Sequence, residues 1–315
     1  MMCSRHFEMR FPRKLFAILP AFFLLALIGC KKSMPESAHV PVIAHPGIGV
    51  GALGRIVRFC ELGPRDALTP GAEKAAVWIR DELAAAGLQP EIRVFDDPSP
   101  SGESRIYRNV VAEVPGTGAG RVMLLSHYDT KSGIAADFIG ANDGGSSTGL
   151  LLELADYIHR NPCRQTVVFA FVDGEECAIA FNDHDGLRGS LKLASEMSAS
   201  GEKIDAVILL DMIGDANLCL TLPRNATAKL KTLVLDAAEA QRIRHKVKLA
   251  PYDILDDHQP FLNAGFPAVD LIDFDYGSAP GLMDYWHTPK DTVDKLSAGS
   301  LQDMALLVLE MISRL

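Results

Sequence analysis

The sequence predicts an α/β fold, a single globular domain in which a mixed, mostly parallel central sheet is flanked by helices. Residues 165–177 read QTVVFAFVDGEEC, and an unbroken β-branched and aromatic run of this length is typical of a strand buried on both faces. Residues 122–126 and 204–210 are similar runs, and segments with helical spacing separate them. The 315 residues, 48% of them hydrophobic, suffice for one large domain of this class.

The other elements follow along the chain. Thr69 and Pro70 are typical of a helix start and Gly87 of its end, so they predict a helix over 72–86. Further strands are predicted at 91–95, 109–114 and 267–272, and further helices at 146–159, 187–199, 225–244, 300–315 and, in a short form, after Phe261.

The amino-terminal segment predicts export. Basic residues precede the apolar run 15–29, which is shorter than the about 20 residues of a membrane span and fits a signal peptide. The run ends in Leu-Ile-Gly-Cys30, which resembles the lipobox of bacterial lipoproteins, where the cysteine after the cleavage site carries the lipid. We therefore expect a signal peptide over 1–29, a lipid anchor to the cell envelope at Cys30, a tether over 30–49 and a globular domain over 50–315. An uncleaved anchor helix is the alternative.

The charge and the cysteines limit partners and cross-links. Without residues 1–29, 27 basic and 39 acidic residues remain, a formal net charge of −12. Such an acidic protein is a poor nucleic-acid binder, so we expect no nucleic-acid partner, and we expect a monomer. Export permits disulfides. Cys163 and Cys177 bracket a strand about 26 Å long, however, and the short return cannot bring them together, so we predict that they are not bonded.

Three strands in succession end in an imidazole or a carboxylate. His127 follows the strand at 122–126, Glu175 and Glu176 follow the strand at 165–172, and Asp211 follows the strand at 204–210. Open α/β sheets bind ligands outside the carboxyl ends of their strands, so we expect a common site. Taken singly, the glutamate pair is more typical of a solvated loop and the histidine of a structural residue. If His127 is a ligand, we expect the nearby Asp129 to orient its ring.

A metal site is the chemistry that these residue types favour. The turn Asn-Asp-Gly at 142–144 can be only a tight turn, but it feeds a predicted helix and can direct Asp143 into the same crevice. Imidazole and carboxylate ligands without thiolates suit a catalytic zinc site. Two adjacent glutamates also allow one to hold the metal while the other moves protons. The candidate ligands are His127, Asp143, Glu176, Asp211 and His287.

Six motifs in fixed order carry a family resemblance: HYD at 127–129, GANDG at 140–144, DGEE at 173–176, LDMIG at 210–214, DDH at 256–258 and WHT at 286–288. Together they resemble the zinc-dependent superfamily of single-domain aminopeptidases and animal-type glutaminyl-peptide cyclotransferases, over roughly residues 50–312. The resemblance implies a zinc exopeptidase-like fold and a zinc-dependent catalytic domain at 50–315 that acts on peptide or protein N-termini.

Within this superfamily the resemblance implies two alternatives. In an aminopeptidase, two zinc ions would be bound by the five candidate ligands, with Asp143 bridging and Glu175 activating water. In a cyclotransferase, one zinc would be bound by Asp143, Glu176 and His287. Glu175 would then carry a proton from the substrate's α-amine to the leaving ammonia, within a hydrogen-bond network that includes Asp211 and Asp256.

Two features favour the cyclotransferase. Trp286 resembles the indole that walls the substrate pocket of the cyclases, and Asp256 resembles the first, catalytic acid of their DDH motif. The simpler alternatives are a core tryptophan and, for Asp257, a helix cap. Because every ligand is retained, a non-catalytic surface binding protein is the remote alternative.

The loop at 273–286 is expected to determine substrate specificity. It joins a predicted strand to Trp286 and is rich in aromatic and acidic residues. We expect Asp273 and Asp275 to meet the free amine of the substrate.

Overall fold

The computed structural model describes residues 47–182 and 184–315, which contain eight strands and seven α-helices. The strands are β1 (Glu91–Asp96), β2 (Ile106–Val114), β3 (Arg121–His127), β4 (Thr166–Val172), β5 (Ala206–Asp211), β6 (Leu220–Leu222), β7 (Val247–Leu249) and β8 (Ala268–Ile272). The helices are α1 (Ile48–Cys60), α2 (Pro70–Ala85), α3 (Gly145–Arg160), α4 (Arg188–Ser200), α5 (Ala228–Ala240), α6 (His258–Asn263) and α7 (Ala298–Arg314).

All eight strands form one sheet in the order β1-β2-β4-β3-β5-β8-β6-β7. The four central strands, from β4 to β8 in this order, run parallel, whereas β1 and β2 are antiparallel additions at one side and β6 pairs antiparallel with β8 at the other. The predicted α/β domain with a mixed, mostly parallel sheet is confirmed.

Helices cover both faces of the sheet. Along β4, Val167, Phe169 and Phe171 pack into the core beneath α1, α2, α3, α5 and α7, whereas Val168 and Ala170 face α4 and α6. Both faces of the strand are therefore dry, which explains why its sequence shows no polar alternation.

The structure adds three elements that the sequence pattern did not predict. Helix α1 begins at Ile48, inside the predicted tether, and its Gly49, Gly51 and Gly54 are poor helix formers. Strands β6 and β7 have only three residues each, too few to show periodicity. Helix α5 ends at Ala240, four residues earlier than expected, and a 3₁₀ turn (Arg244–Lys246) follows.

Several amino-terminal expectations lie outside the described residues: the signal peptide at 1–29, Cys30 and all of the tether up to residue 46. Among the residues that are described, no helix is both long and apolar enough to cross a membrane. The four cysteines described, Cys60, Cys163, Cys177 and Cys219, are free thiols. The prediction that Cys163 and Cys177 are not bonded is confirmed.

Candidate active site

The predicted site residues meet at the carboxyl edge of the parallel strands. His127 and Asp211 are the last residues of β3 and β5, and Glu175 and Glu176 follow β4. These three strands are neighbours in the sheet, so their ends bring residues that are far apart in sequence to one place.

A tight turn ahead of α3 brings Asp143 over the end of β3. Gly144 adopts φ 70°, and a Cβ atom there would lie 2.9 Å from Cε1 of His127. Only glycine allows both this backbone conformation and this close approach. Asp291 fixes the same turn, because its carboxylate accepts hydrogen bonds from the backbone N–H groups of Asn142 (2.7 Å) and Asp143 (3.1 Å).

The Asp143 carboxylate lies between two histidines. Its Oδ1 is 3.1 Å from Nε2 of His127, and its Oδ2 is 3.3 Å from Nε2 of His287. His127 Nε2 also lies 3.3 Å from Oδ1 of Asp211, and His287 Nε2 lies 3.0 Å from Oε1 of Glu176. Two groups of three potential ligands, each with its donor atoms within 4.8 Å of one another, therefore share Asp143.

This donor set fits zinc. Nitrogen and oxygen ligands from separate elements, without a thiolate, are typical of catalytic zinc sites. In the described part of the chain, Oδ2 of Asp143 is buried, and its contact with Nε2 of His287 at 3.3 Å does not have hydrogen-bond geometry. A cation would give this oxygen a partner when the imidazole is neutral.

Electrostatics within the cluster also indicate a need for positive charge. Burial lowers the pKa of His287, but the carboxylates of Asp143 and Glu176 outweigh this and raise it to about 10. The same opposition raises the pKa of His127, through Asp129, Asp143 and Asp211. Burial raises the pKa of Asp143, but the two imidazoles more than offset it, so its pKa falls below the usual range. Protons on the imidazoles thus supply the charge that a metal ion would bring.

The two glutamates differ in their surroundings. Burial, followed by the Asp143 charge, raises the pKa of Glu176 to about 7. Its Oε2 lies 3.4 Å from Nζ of Lys131, so its two oxygens face a lysine and a histidine. Burial also raises the pKa of Glu175 well above its usual value, and the charge of Glu176 adds to this.

Asp129 holds the glutamate loop in place. Its two carboxylate oxygens accept hydrogen bonds from the backbone N–H groups of Glu175 (3.2 Å) and Glu176 (3.1 Å). The sequence led us to expect Asp129 to orient the ring of His127. Its Oδ1 lies 3.6 Å from Nδ1 of that ring, which is too long for a hydrogen bond, so its main role is at the loop.

The site opens into a cavity of about 260 Å³. Its wall includes the predicted residues Asp143, Glu175, Glu176, Asp211, Asp256, Trp286 and His287. His127 does not line the cavity; it is buried behind Asp143 and Asp211. The indole of Trp286 is stacked on the His287 ring with centroids 4.1 Å apart, so it is both a wall of the cavity and a support for a candidate ligand.

Buried acids lie next to the cavity. Asp256 is 3% exposed, and its pKa is raised by burial and then by the charges of Asp211 and Asp257. Asp257 accepts a hydrogen bond from Ser190 Oγ and makes no side-chain cap to α6. The helix-cap alternative for Asp257 is therefore wrong.

The loop at 273–286 contributes aromatic rather than acidic side chains to the cavity. Asp273 is buried and accepts hydrogen bonds from the N–H groups of Cys219 and Asp275, and Asp275 pairs with Lys248. Neither acid lines the cavity, whereas Phe274 does. The expectation that these acids meet the substrate's amine is wrong, because each is already satisfied within the fold.

Several wall residues were not found from the sequence: Phe181, Met212, Tyr252, Ile254, Leu255 and Ile272. They are apolar or aromatic residues, and all but Met212, which belongs to the LDMIG motif, lie outside the six motifs. Met212, with φ 49°, directly follows Asp211 at the end of β5. Its position next to a candidate ligand is the sequence signal that could have identified it as a wall residue.

The arrangement defines the class of protein. A buried cluster of imidazoles and carboxylates fits one or two zinc ions, lies at the carboxyl edge of a parallel sheet and opens into a cavity with free acids. This is the active site of an α/β metalloenzyme.

Comparisons with known proteins identify the family. The model of peptidase family M28 matches residues 109–312, and the chain belongs to this family. A glutaminyl-peptide cyclotransferase of Drosophila melanogaster is 24% identical over 258 residues, which cover 73% of this chain and 71% of the fly protein.

Solved structures agree with this assignment. The glutaminyl cyclase of an Acidobacteriales bacterium has a TM-score of 0.79 and 34% identity, with 89% of this chain and 97% of that one covered. A Zn-dependent exopeptidase from Parabacteroides distasonis has a TM-score of 0.73 and 24% identity, with 85% and 98% covered, and shares the fold.

Proposed function

We propose that this protein is a glutaminyl-peptide cyclotransferase, which converts an N-terminal glutamine into pyroglutamate and releases ammonia. The observation that carries the proposal is that the wall of one cavity combines Glu175 and Asp256, neither of which belongs to a ligand group, with Trp286. The likeness to the acidobacterial glutaminyl cyclase, over nearly the whole length of both chains, supports it.

Asp143, Glu176 and His287 would hold one zinc ion in this reaction. Their donor atoms come from three separate segments and lie within 4.8 Å of one another. When bound, zinc would polarise the side-chain amide carbonyl of the substrate glutamine.

Glu175 would move the proton. Its carboxylate takes a proton from the α-amine as that nitrogen attacks the amide carbon, and it returns the proton to the amide nitrogen, which leaves as ammonia. Burial raises the pKa of Glu175, and a raised pKa suits a carboxyl group that must accept and release a proton near neutral pH. Both reacting groups belong to one residue, so the substrate itself supplies their proximity.

Asp211, Asp256 and Trp286 would support these steps. Asp256 adds to the raised pKa of Glu175 through its charge, and Asp211 adds to that of Asp256. These neighbouring charges keep a proton within the group of acids. The indole of Trp286 would cover the substrate side chain while its stacking holds the His287 ring.

One observation favours a second candidate, a metallo-aminopeptidase with two zinc ions. His127, Asp143 and Asp211 form a second complete ligand group that shares Asp143 with the first. In that reaction Glu175 would take its proton from water instead of from the substrate's amine.

Two assays in parallel test the choice. The purified protein is supplied with zinc and given an N-terminal glutaminyl peptide, followed by mass spectrometry, and a set of aminoacyl chromogenic amides. Loss of ammonia without shortening of the peptide is the expected result. Release of free amino acids would instead assign the aminopeptidase reaction and two metal ions.

We propose further that the protein is exported and held at the bacterial envelope by lipid at Cys30, acts on peptide or protein N-termini there, and is a monomer. Metabolic labelling with an alkyne fatty acid tests the anchor. We expect Cys30→Ala to abolish labelling and to release the protein from membranes. The matched variant Cys219→Ala should keep both, and equal labelling of the two variants would contradict the anchor.

A further inference from the structure

A second cavity continues from the active site. It has a volume of about 210 Å³ and shares two wall residues, Phe181 and Leu255, with the active-site cavity. Its other walls include Leu191 of α4 and Pro260 of α6. The two cavities therefore adjoin each other at Phe181 and Leu255, and we call the second cavity the exit groove.

The exit groove is mainly apolar although it is open to solvent, and its wall also includes the amides of Asn182, Gln259 and Asn263. Phe181, Leu191 and Leu255 are 39%, 37% and 52% exposed, and grouped exposed apolar side chains beside a site are typical of a binding surface. Within the described part of the chain, neither cavity has a lysine or arginine in its wall, whereas Asp185 and Asp253 contribute carboxylates. The surface therefore suits apolar groups and disfavours negative charge.

The wall of the exit groove is preformed. Asp185 accepts hydrogen bonds from the backbone N–H groups of Ala178 (2.7 Å), Ile179 (2.9 Å) and Ala180 (3.2 Å), which fixes the segment leading to Phe181. A Cβ atom at Gly186 would lie 2.3 Å from the Phe181 ring, so the ring packs directly on this glycine. Little ordering is needed when a ligand binds to such a wall.

The size of the active-site cavity indicates what enters the groove. At about 260 Å³, it lies below the about 300 Å³ at which ordinary ligand pockets begin, and its catalytic acids would act on the first residue of a peptide. Each further residue of an extended chain advances about 3.3–3.6 Å, so the rest of the peptide must leave the cavity. The exit groove adjoins the active-site cavity and is mainly apolar, so it can receive the rest of the peptide.

We propose that the exit groove binds the second to fourth residues of the peptide substrate and prefers apolar over acidic side chains there. This inference rests on the proposed function, because it takes the first residue to lie beside Glu175. Phe181 and Leu255 would contact the residue that leaves the cavity, and Leu191 would contact those beyond it.

Substrate length and composition test the inference with the full chain in detergent and zinc. The substrates are Gln-Ser-NH₂ and the tetrapeptide Gln-Ser-Ser-Ser-NH₂, with one leucine or one aspartate moved through positions two to four. For at least one position we expect leucine to raise kcat/KM about tenfold over serine and aspartate to lower it. Leu191→Ser should reduce that leucine-to-serine ratio. Leu249→Ser, a matched change at another exposed leucine on β7, should leave it unchanged.

The outcomes are distinguishable. If the glutaminyl peptides are all cyclised with the same kcat/KM, or if the two variants have the same leucine-to-serine ratio, the inference is wrong and the proposed function stands. If neither the dipeptide nor any tetrapeptide loses ammonia, the proposed function fails, and the inference that depends on it fails as well.

Discussion

Two adjacent glutamates differ in their surroundings because their side chains meet different partners. Asp129 holds the backbone N–H of both residues, one on each oxygen. From this fixed backbone, Glu176 reaches His287 and Lys131, whereas Glu175 lines the cavity and belongs to neither ligand group. In the proposed function, neighbouring positions would thus divide metal binding from proton transfer.

A pair of isosteric substitutions tests this division. Glu175→Gln should keep the fold and the bound zinc but lower kcat about 10²- to 10⁴-fold, because the amide cannot accept a proton. Glu176→Gln should lose most of its zinc. Circular dichroism, metal analysis and turnover of a glutaminyl peptide measure the three properties. Zinc loss in Glu175→Gln would mean that the two roles are exchanged.

The candidate ligands and catalytic acids could be predicted from the sequence, because the residue type that follows each predicted strand can be read directly. It did not reveal the partners that hold them. Asp129, Asp273 and Asp291 all look like candidate site acids, yet their carboxylates accept backbone hydrogen bonds within the fold. A sequence does not distinguish an acid used by the backbone from one left free, because the partner is far away along the chain.

At the scale of elements, close helix contacts rely on glycine. Helix α1 packs on α3 and α7, and Gly149 of α3 lies where a Cβ atom would be 2.4 Å from Cγ1 of Ile56. The long apolar β4 could be predicted from composition alone. The glycine-containing α1 could not, because its stability comes from packing and not from local propensity.

Two alanine substitutions separate packing from propensity. Gly149→Ala should lower the free energy of unfolding by about 1–3 kcal/mol, because the methyl group overpacks the α1–α3 contact. Gly54→Ala has nothing within 4 Å of the added Cβ and should raise it by about 0.5–1 kcal/mol through helix propensity. Denaturant unfolding measures both, and a stabilised Gly149→Ala variant would contradict the packing argument.

For the whole molecule, metal binding is coupled to proton release. The pKa of His287 is raised to about 10 and that of Glu176 to about 7 in the metal-free protein. A bound zinc requires the neutral imidazole nitrogen and the carboxylate, so binding must displace these protons. The apparent zinc affinity should therefore rise with pH from about 6, below the pKa of Glu176, to about 10, the pKa of His287.

Calorimetry in buffers of different ionisation enthalpy measures the number of protons released. We expect at least one proton per zinc near pH 7 and a zinc-induced increase in Tm that grows with pH. Chelation should reverse the increase in Tm. A zinc affinity independent of pH would show that His287 and Glu176 do not carry these protons or do not bind the metal.

The position of Asp143 between two histidines has a consequence for how the chain matures. His127 and His287 belong to segments that join the sheet at β3 and after β8, and contacts over such long sequence separations form late and slowly during folding. A nascent or truncated chain that lacks the last strand therefore has no complete ligand group on the His287 side. Occupancy of that group would report on completed synthesis and assembly of the domain.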